Sequence, residues 1–193
     1  MTFRRAAVLA GILLLPSLAQ AHPNHGPATG LYGGLAHPLA GLDHLAAMLA
    51  VGLWAAQRGG RALWAIPLSF VGVMMFGAVL ARGGMALPFV EQGIVVSVLI
   101  LGILIAAAWS LPLAASMVLV GLFALFHGYA HGVEIPAMAS GLAYGSGFVA
   151  ATVSLLLLGV GLGLAAKRLS GEKMVRYAGA AVVACGLYLV SVT

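Results

Sequence analysis

Long apolar segments constrain this chain more than any other feature of its sequence. Of its 193 residues, 63% are hydrophobic and only 7% are charged, whereas soluble globular domains carry about 25% charged residues. A run of roughly 20 apolar residues can cross a bilayer as a helix. The sequence therefore predicts an all-α, polytopic membrane protein with six transmembrane helices, which excludes a soluble enzyme. The predicted spans are residues 31–57, 62–81, 89–109, 111–129, 138–166 and 174–192.

The first 21 residues have the order of a secretory signal peptide. Two arginines precede an apolar run, and the small residues Ala19 and Ala21 suit the cleavage site. We therefore predict that residues 1–21 are a cleaved N-terminal signal peptide. The alternative is an uncleaved anchor helix.

Cleavage would divide the mature chain into a tail and a membrane domain. Residues 22–30 would form a periplasmic tail that contains His22 and His25, and residues 31–193 the six-helix transmembrane domain. A terminal histidine can chelate a metal through its amine and its imidazole, and His25 could add a third nitrogen. Both histidines are therefore candidate metal ligands, with an ordinary disordered tail as the alternative.

The positive charges indicate which helix ends face the cytoplasm. With the mature N terminus outside, Arg82 is the one basic residue in the external connections, and six fall in the cytoplasmic ones. This asymmetry follows the positive-inside rule and predicts a protein of the bacterial inner membrane with both mature termini in the periplasm. The basic residues form no long run, so nucleic acid is not an expected partner. The six cytoplasmic residues are Arg58, Arg61, Lys167, Arg168, Lys173 and Arg176.

Glycines at small-xxx-small spacing are expected to let helix backbones approach closely in lipid. Two such pairs lie in the fifth predicted span, Gly141 with Gly145 and Gly159 with Gly163. The spacing indicates packing rather than a functional site.

Polar residues in the first predicted span are candidate functional groups. An aspartate at mid-span costs about 2.5 to 3.5 kcal/mol on insertion scales, so Asp43 is expected to face protein or water. His37 and His44 are seven residues apart and would share one face of a continuous helix. Asp43 would point about 120° away from His37 and reach a neighbouring helix. Pro38 and Gly41 are expected to loosen the first turn and free backbone carbonyls.

A second polar group ends the fourth predicted span. His131 and Glu134 come four and seven residues after His127. The three side chains therefore lie on one face of the helix if it continues to Pro136. Two imidazoles and a carboxylate suit a divalent transition metal, and ligand type does not separate nickel, copper and zinc. The spacing of the two histidines resembles that of a zinc-protease motif, but Gly128 occupies the position at which hydrolysis by such a protease needs a glutamate base. Metal-assisted hydrolysis is therefore disfavoured.

The predicted topology brings the two polar groups to the same depth. The first span enters from outside and the fourth runs outward, so both groups fall in the outer half of the bilayer. The alternatives are histidines that only bond neighbouring helices, a membrane haem or electron-transfer protein, and an intramembrane metalloenzyme. We expect one shared metal site, and its predicted ligands are His37, Asp43, His44, His127, His131 and Glu134.

The two polar groups lie in blocks that resemble a known family. The blocks HPLAGLDH, residues 37–44, and FHGYAHGVE, residues 126–134, are similar to the two signature motifs of the HupE/UreJ family. With the signal peptide and six spans, the resemblance covers essentially the entire chain. It implies a nickel permease of bacteria, associated with hydrogenase or urease maturation, that takes nickel in from the periplasm. The candidate ligands of each polar group match the corresponding motif.

The resemblance also implies the cargo and the partners. Ni²⁺ is expected as the transported ion, with Co²⁺ or Zn²⁺ as alternatives, and no tightly bound cofactor is expected. The expected partners are the metal ion, the lipid bilayer and, indirectly, hydrogenase or urease maturation proteins; a homo-oligomer is left open. The sequence has no Gly-rich phosphate-binding loop followed by Lys and Ser or Thr, so direct nucleotide-driven pumping by this chain is not expected.

Overall fold

A computed structural model describes residues 30–135 and 141–192. Within these ranges the chain is helical, with a short 3₁₀ turn at His37–Leu39 and no strand. The predicted signal peptide and the tail with His22 and His25 lie outside the described residues. The helices are α1 (Gly30–Ala36), α2 (Leu42–Arg58), α3 (Ala62–Arg82), α4 (Val90–Ala107), α5 (Leu113–Glu134), α6 (Gly141–Ser170) and α7 (Glu172–Val192).

Helices α3 to α7 are each long and apolar enough to cross a membrane. Helices α1 and α2 pass the same test only as a pair, and they meet at a bend of 80°. The described residues therefore hold five candidate spans, or six if the bent pair is one span. The expectation of an all-helical membrane protein is confirmed, and the count of six depends on the bent pair.

Two helices extend beyond their predicted ends. Helix α5 continues to Glu134 rather than ending at residue 129, so His127, His131 and Glu134 do lie on one helix. Helix α6 continues to Ser170 rather than ending at residue 166. Hydropathy ends a span at its first polar or charged residues, although the helix itself continues past them.

The first predicted span is broken at Pro38 and Gly41, so their expected loosening of the helix is confirmed, whereas the prediction that His37 and His44 share one helix face is wrong. Pro38 stands in the 3₁₀ turn, where it lacks a backbone donor, and Gly41 has extended dihedrals of φ −99° and ψ 122° before α2. A Cβ on Gly41 would lie 2.7 Å from Asp43 Oδ1 and 3.1 Å from His44 Nδ1. His37 and His44 therefore belong to separate helical segments and do not share the face of one helix.

The bundle has two chemically different ends. We call the end with the α1–α2 bend and the C terminus of α5 the histidine end, and the opposite end, with Lys167 and Arg176, the basic end. At the basic end, Lys167 Nζ donates to Gln57 O at 3.0 Å and Arg176 Nε donates to Ala106 O at 2.8 Å. These carbonyls end α2 and α4, where a cation is electrostatically favourable. The contacts tie the ends of the helices together there.

Helix α2 is the central helix of the bundle. It packs against α3, α4, α6 and α7, while α3 pairs with α5 and α4 with α7. Its side chains Met48, Val51 and Trp54 are fully buried. Among the described helices, α2 and α5 are not a closely packed pair. The space between these two helices holds the polar residues of the site.

Glycines set the approach of α2 and α6. A side chain at either glycine of α6 would collide with α2. A Cβ added to Gly159 would lie 2.5 Å from Leu49 O, and a Cβ added to Gly163 would lie 2.5 Å from Ala56 Cβ. The close packing expected of Gly159 and Gly163 is therefore confirmed. A Cβ added to Gly141 or Gly145 would have no described atom within contact distance. The described helices therefore do not pack closely against one another at these two glycines.

Candidate metal centre

Histidine rings fill the space between α2 and α5. The His44 ring on α2 lies 4.2 Å from the His131 ring and 5.2 Å from the His127 ring, both on α5. The His37 ring in the 3₁₀ turn lies 4.9 Å from that of His131. The order of contacts is thus His37, His131, His44 and His127, in a row that runs from the histidine end into the bundle.

The outer group of this row consists of His37, His131 and Glu134. His37 Nε2–H donates to Glu134 Oε2 at 2.8 Å, and His131 Nδ1 lies 3.4 Å from the same oxygen. One ligand atom from each residue lies within 4.8 Å of the other two. Ligands of a tetrahedral ion with bonds of about 2.1 Å are about 3.4 Å apart. A small contraction would therefore close the outer group around an ion.

The outer group is partly exposed at the histidine end. The side chain of Glu134 is 51% exposed and that of His37 is 28% exposed, whereas that of His131 is 5% exposed. The group therefore joins an accessible carboxylate to a buried imidazole.

The inner group consists of Asp43, His44 and His127 and is more buried than the outer group: the side chains of His44 and Asp43 are 11% and 21% exposed. Asp43 Oδ1 accepts both the backbone N–H and the Nδ1–H of His44, each at 2.8 Å. Asp43 Oδ1 is therefore held by the next residue in the chain, and the expectation that Asp43 reaches a neighbouring helix stays a prediction. His127 Nδ1–H donates to Phe123 O at 2.9 Å. His127 is fully buried.

These hydrogen bonds decide which ring nitrogens are free. A neutral imidazole that donates from Nδ1 keeps its lone pair on Nε2. The Nε2 atoms of His44 and His127 are buried and have no hydrogen-bond partner among the described residues. Metal-ligating histidines usually donate their other N–H to a carboxylate or a backbone carbonyl, which fixes the tautomer. Both rings have this arrangement, so the chemistry of the inner group fits a metal ion.

Two aromatic residues of α6, which the sequence analysis did not single out, line the outer group. The Phe148 ring lies 4.2 Å from the His131 ring, and the Tyr144 ring lies 5.9 Å from the His37 ring. Helix α1 packs closely on α6 here because Gly34 has no side chain: a Cβ added to Gly34 would lie only 2.8 Å from Phe148 N. This close packing brings the His37 ring, which follows α1, near the Tyr144 ring. An aromatic residue in an apolar span gives no signal distinct from ordinary packing.

A cavity of about 720 Å³ lies beside His131, between α3 and α6. Apolar side chains such as Met74 and Phe148 form most of its lining, and Arg82 lines it as well. An apolar lining suits a hydrocarbon chain better than a hydrated ion. The cavity therefore meets the histidine row only at His131, whereas His37 and Glu134 are not part of its lining.

Toward the basic end, the row of histidines stops at a packed core. The Phe70 ring lies 5.6 Å from the His127 ring. Phe70, Met48 and Trp54 are all fully buried and belong to one hydrophobic cluster. The row of histidines is therefore partly exposed at the histidine end and buried at its other end.

The fold and the site define a polytopic helical membrane protein with a group of histidines and carboxylates able to hold a metal ion. The family model described as "HupE / UreJ protein" matches residues 10–189. The chain is also 44% identical to Protein HupE of Rhizobium leguminosarum bv. viciae over 190 residues, 98% of each chain. The chain therefore belongs to the HupE/UreJ family, and its class is that of hydrogenase and urease accessory membrane proteins. No solved structure matches it.

Proposed function

We propose that this protein is a permease that moves a divalent transition metal, with nickel as its principal cargo, from the periplasm to the cytoplasm. The metal would serve the maturation of hydrogenase or urease. One observation carries the proposal: the buried Nε2 atoms of His44 and His127 are left free by hydrogen bonds at the opposite ring nitrogen. Nitrogen and carboxylate donors suit divalent transition metals, and the choice of nickel rests on the family.

The proposed orientation follows from the charge at the two ends. The basic end would face the cytoplasm by the positive-inside rule, which places the outer group in the periplasmic half of an inner-membrane protein. Both mature termini would then be periplasmic, and the tail with His22 and His25 would begin on the side of the entrance. A role for these two histidines in delivering the ion is part of the proposal.

In the proposed mechanism, the ion is captured in steps of decreasing hydration. Glu134 and His37 would bind it at the solvent-accessible entrance, and His131 would replace part of its water. His44 would receive it next, because its ring lies 4.2 Å from that of His131. Asp43 would keep Nε2 of His44 available by holding the proton on Nδ1. Passage requires weak and exchangeable binding at each step, and the core below His127 must open for release.

The ring geometry favours a small ion over a haem as the ligand of these histidines. Two axial imidazoles hold a haem iron between their nitrogen atoms, with the macrocycle lying between the two rings. Here the His44 and His131 rings meet edge to face with centroids 4.2 Å apart. That distance leaves no room for a planar macrocycle between them.

The test is uptake of radioactive nickel by cells that produce the wild type, Asp43→Ala or His44→Ala, with cobalt and zinc as competitors. Loss of a ligand, or of the group that orients it, is expected to reduce uptake by about 10- to 100-fold. Glu172→Gln is the matched control, since this carboxylate lies at the basic end, 3.7 Å from Lys167 Nζ. Equal nickel uptake in all strains would refute the permease. Stronger competition by cobalt or zinc than by unlabelled nickel would reassign the cargo.

A further inference from the structure

Helix α6 carries a buried hydroxyl group that no known role accounts for. Thr152 is fully buried, and its Oγ1 has no hydrogen-bond partner among the described residues. A hydroxyl inside a helix usually bonds a carbonyl of the preceding turn, as Ser154 of the same helix does with Ala150 O at 2.8 Å. A buried polar group without a partner is unfavourable. The free hydroxyl of Thr152 therefore calls for a ligand.

The contacts of neighbouring residues fix the depth of Thr152. Phe148, one turn earlier on α6, touches the His131 ring. Leu156, one turn later on α6, has its carbonyl oxygen packed against Gly52 of α2. Thr152 thus lies about 6 Å nearer the basic end than Phe148, turned by about 40° around the helix. It stands between the part of α6 that faces the outer group and the part that packs on α2.

His127 and Met48 lie at this same depth on the other helices. His127 is one turn from His131 toward the basic end, and Met48 is one turn from His44 in the same direction. Both side chains are fully buried. Nε2 of His127 is without a partner among the described residues. An imidazole, a hydroxyl group and a thioether therefore lie at about one level of the bundle, all on buried residues.

We propose that the hydroxyl of Thr152 and Nε2 of His127 form an inner binding subsite for a divalent transition metal, one helical turn from the outer group. His44, whose ring contacts both His131 and His127, passes the ion between the two subsites. Met48 is buried at the same level and contributes an apolar wall to the subsite. This inference rests on the proposed permease function and deepens it, because it names a residue outside both sequence motifs as a ligand of the cargo.

Thr152→Val tests the inner subsite, with Thr152→Ser as its matched control. Valine keeps the shape of threonine but lacks the hydroxyl, and serine keeps the hydroxyl. In nickel uptake, Thr152→Val is expected to lower the maximal rate about tenfold, with the half-saturating concentration unchanged because the outer group sets it. Thr152→Ser is expected to stay within about twofold of the wild type. A wild-type rate in Thr152→Val, or equal losses in both variants, would overturn the proposal.

A binding measurement separates the subsite from transport. Equilibrium dialysis of Ni²⁺ against purified His37→Ala/Glu134→Gln protein in detergent reports mainly the inner subsite, because the outer group then keeps only one of its three candidate ligands, His131. Adding Thr152→Val is expected to lower the remaining nickel affinity about tenfold, and adding Thr152→Ser to leave it nearly unchanged. If the wild type transports no nickel but this difference appears, the permease proposal fails and the subsite stands. If neither substitution changes the binding, the subsite is refuted even where uptake is intact.

Discussion

Replacement of His131 by alanine is expected to reduce nickel uptake to the background of cells that lack the protein, a loss of more than about 100-fold. His131 occupies the centre of the row: its ring lies 4.9 Å from that of His37 and 4.2 Å from that of His44. Its Nδ1 also lies 3.4 Å from Glu134 Oε2. Removal of this imidazole therefore takes a ligand from the entrance and breaks the connection to the inner group.

A second variant separates this loss of binding from a loss of structure. His131 is buried, so an alanine there leaves a cavity, whereas His131→Gln preserves most of the volume but presents an amide in place of an imidazole. Both variants are expected to lose uptake, and His131→Gln is expected to keep a thermal unfolding temperature near that of the wild type in detergent. Wild-type uptake by either variant would contradict the role of His131.

Replacement of Gly128 by alanine is expected to destabilise the bundle and abolish uptake together. A Cβ at this position of α5 would overlap the backbone carbonyl of Met74 on α3 and lie 2.8 Å from Met74 Cα. Backbone cannot move aside as a side chain can, so α3 and α5 must separate, and overpacking of this kind costs about 1 to 3 kcal/mol. The shift would also displace His127, the neighbouring residue.

Gly121→Ala is the matched control for Gly128→Ala. Gly121 lies on the same helix and faces the same partner, but a Cβ there would lie 3.3 Å from Val73 Cγ2 and 3.6 Å from Ser69 Oγ. These are side-chain atoms, so the interface can adjust. Both substitutions gain the same helix propensity, about 1 kcal/mol. Thermal unfolding in detergent should therefore separate the two variants, and equal unfolding temperatures would contradict the close-packing role of Gly128.

The sequence predicts most of the helical architecture because apolar length is a direct requirement of the bilayer. The span predicted at residues 62–81 is observed as Ala62–Arg82. The place of the break in the first span was predictable from Pro38 and Gly41, but its size was not. Membrane helices tolerate both residue types, and the bend of 80° is found together with hydrogen bonds from the His44 backbone and ring to Asp43. Such a contact arises only in the folded chain.

The candidate site was predictable in its polar residues but not in its organisation. Histidines and carboxylates stand out in apolar spans because lipid excludes them, so the six membrane-domain candidates could be chosen from the sequence. Their division into an outer and an inner group depends on hydrogen bonds such as that from His127 Nδ1 to Phe123 O. Phe148 and Thr152 gave no signal, because their positions follow from the packing of α6 against α1 and α2. Their roles needed the three-dimensional arrangement.

The most direct measurement of the central claim is X-ray absorption at the nickel edge, on purified protein loaded with one equivalent of Ni²⁺. The expected spectrum shows at least two imidazole nitrogens in the coordination sphere, and fewer in His131→Ala. A spectrum with only oxygen ligands, or one that His131→Ala leaves unchanged, would contradict a metal site built from α2 and α5.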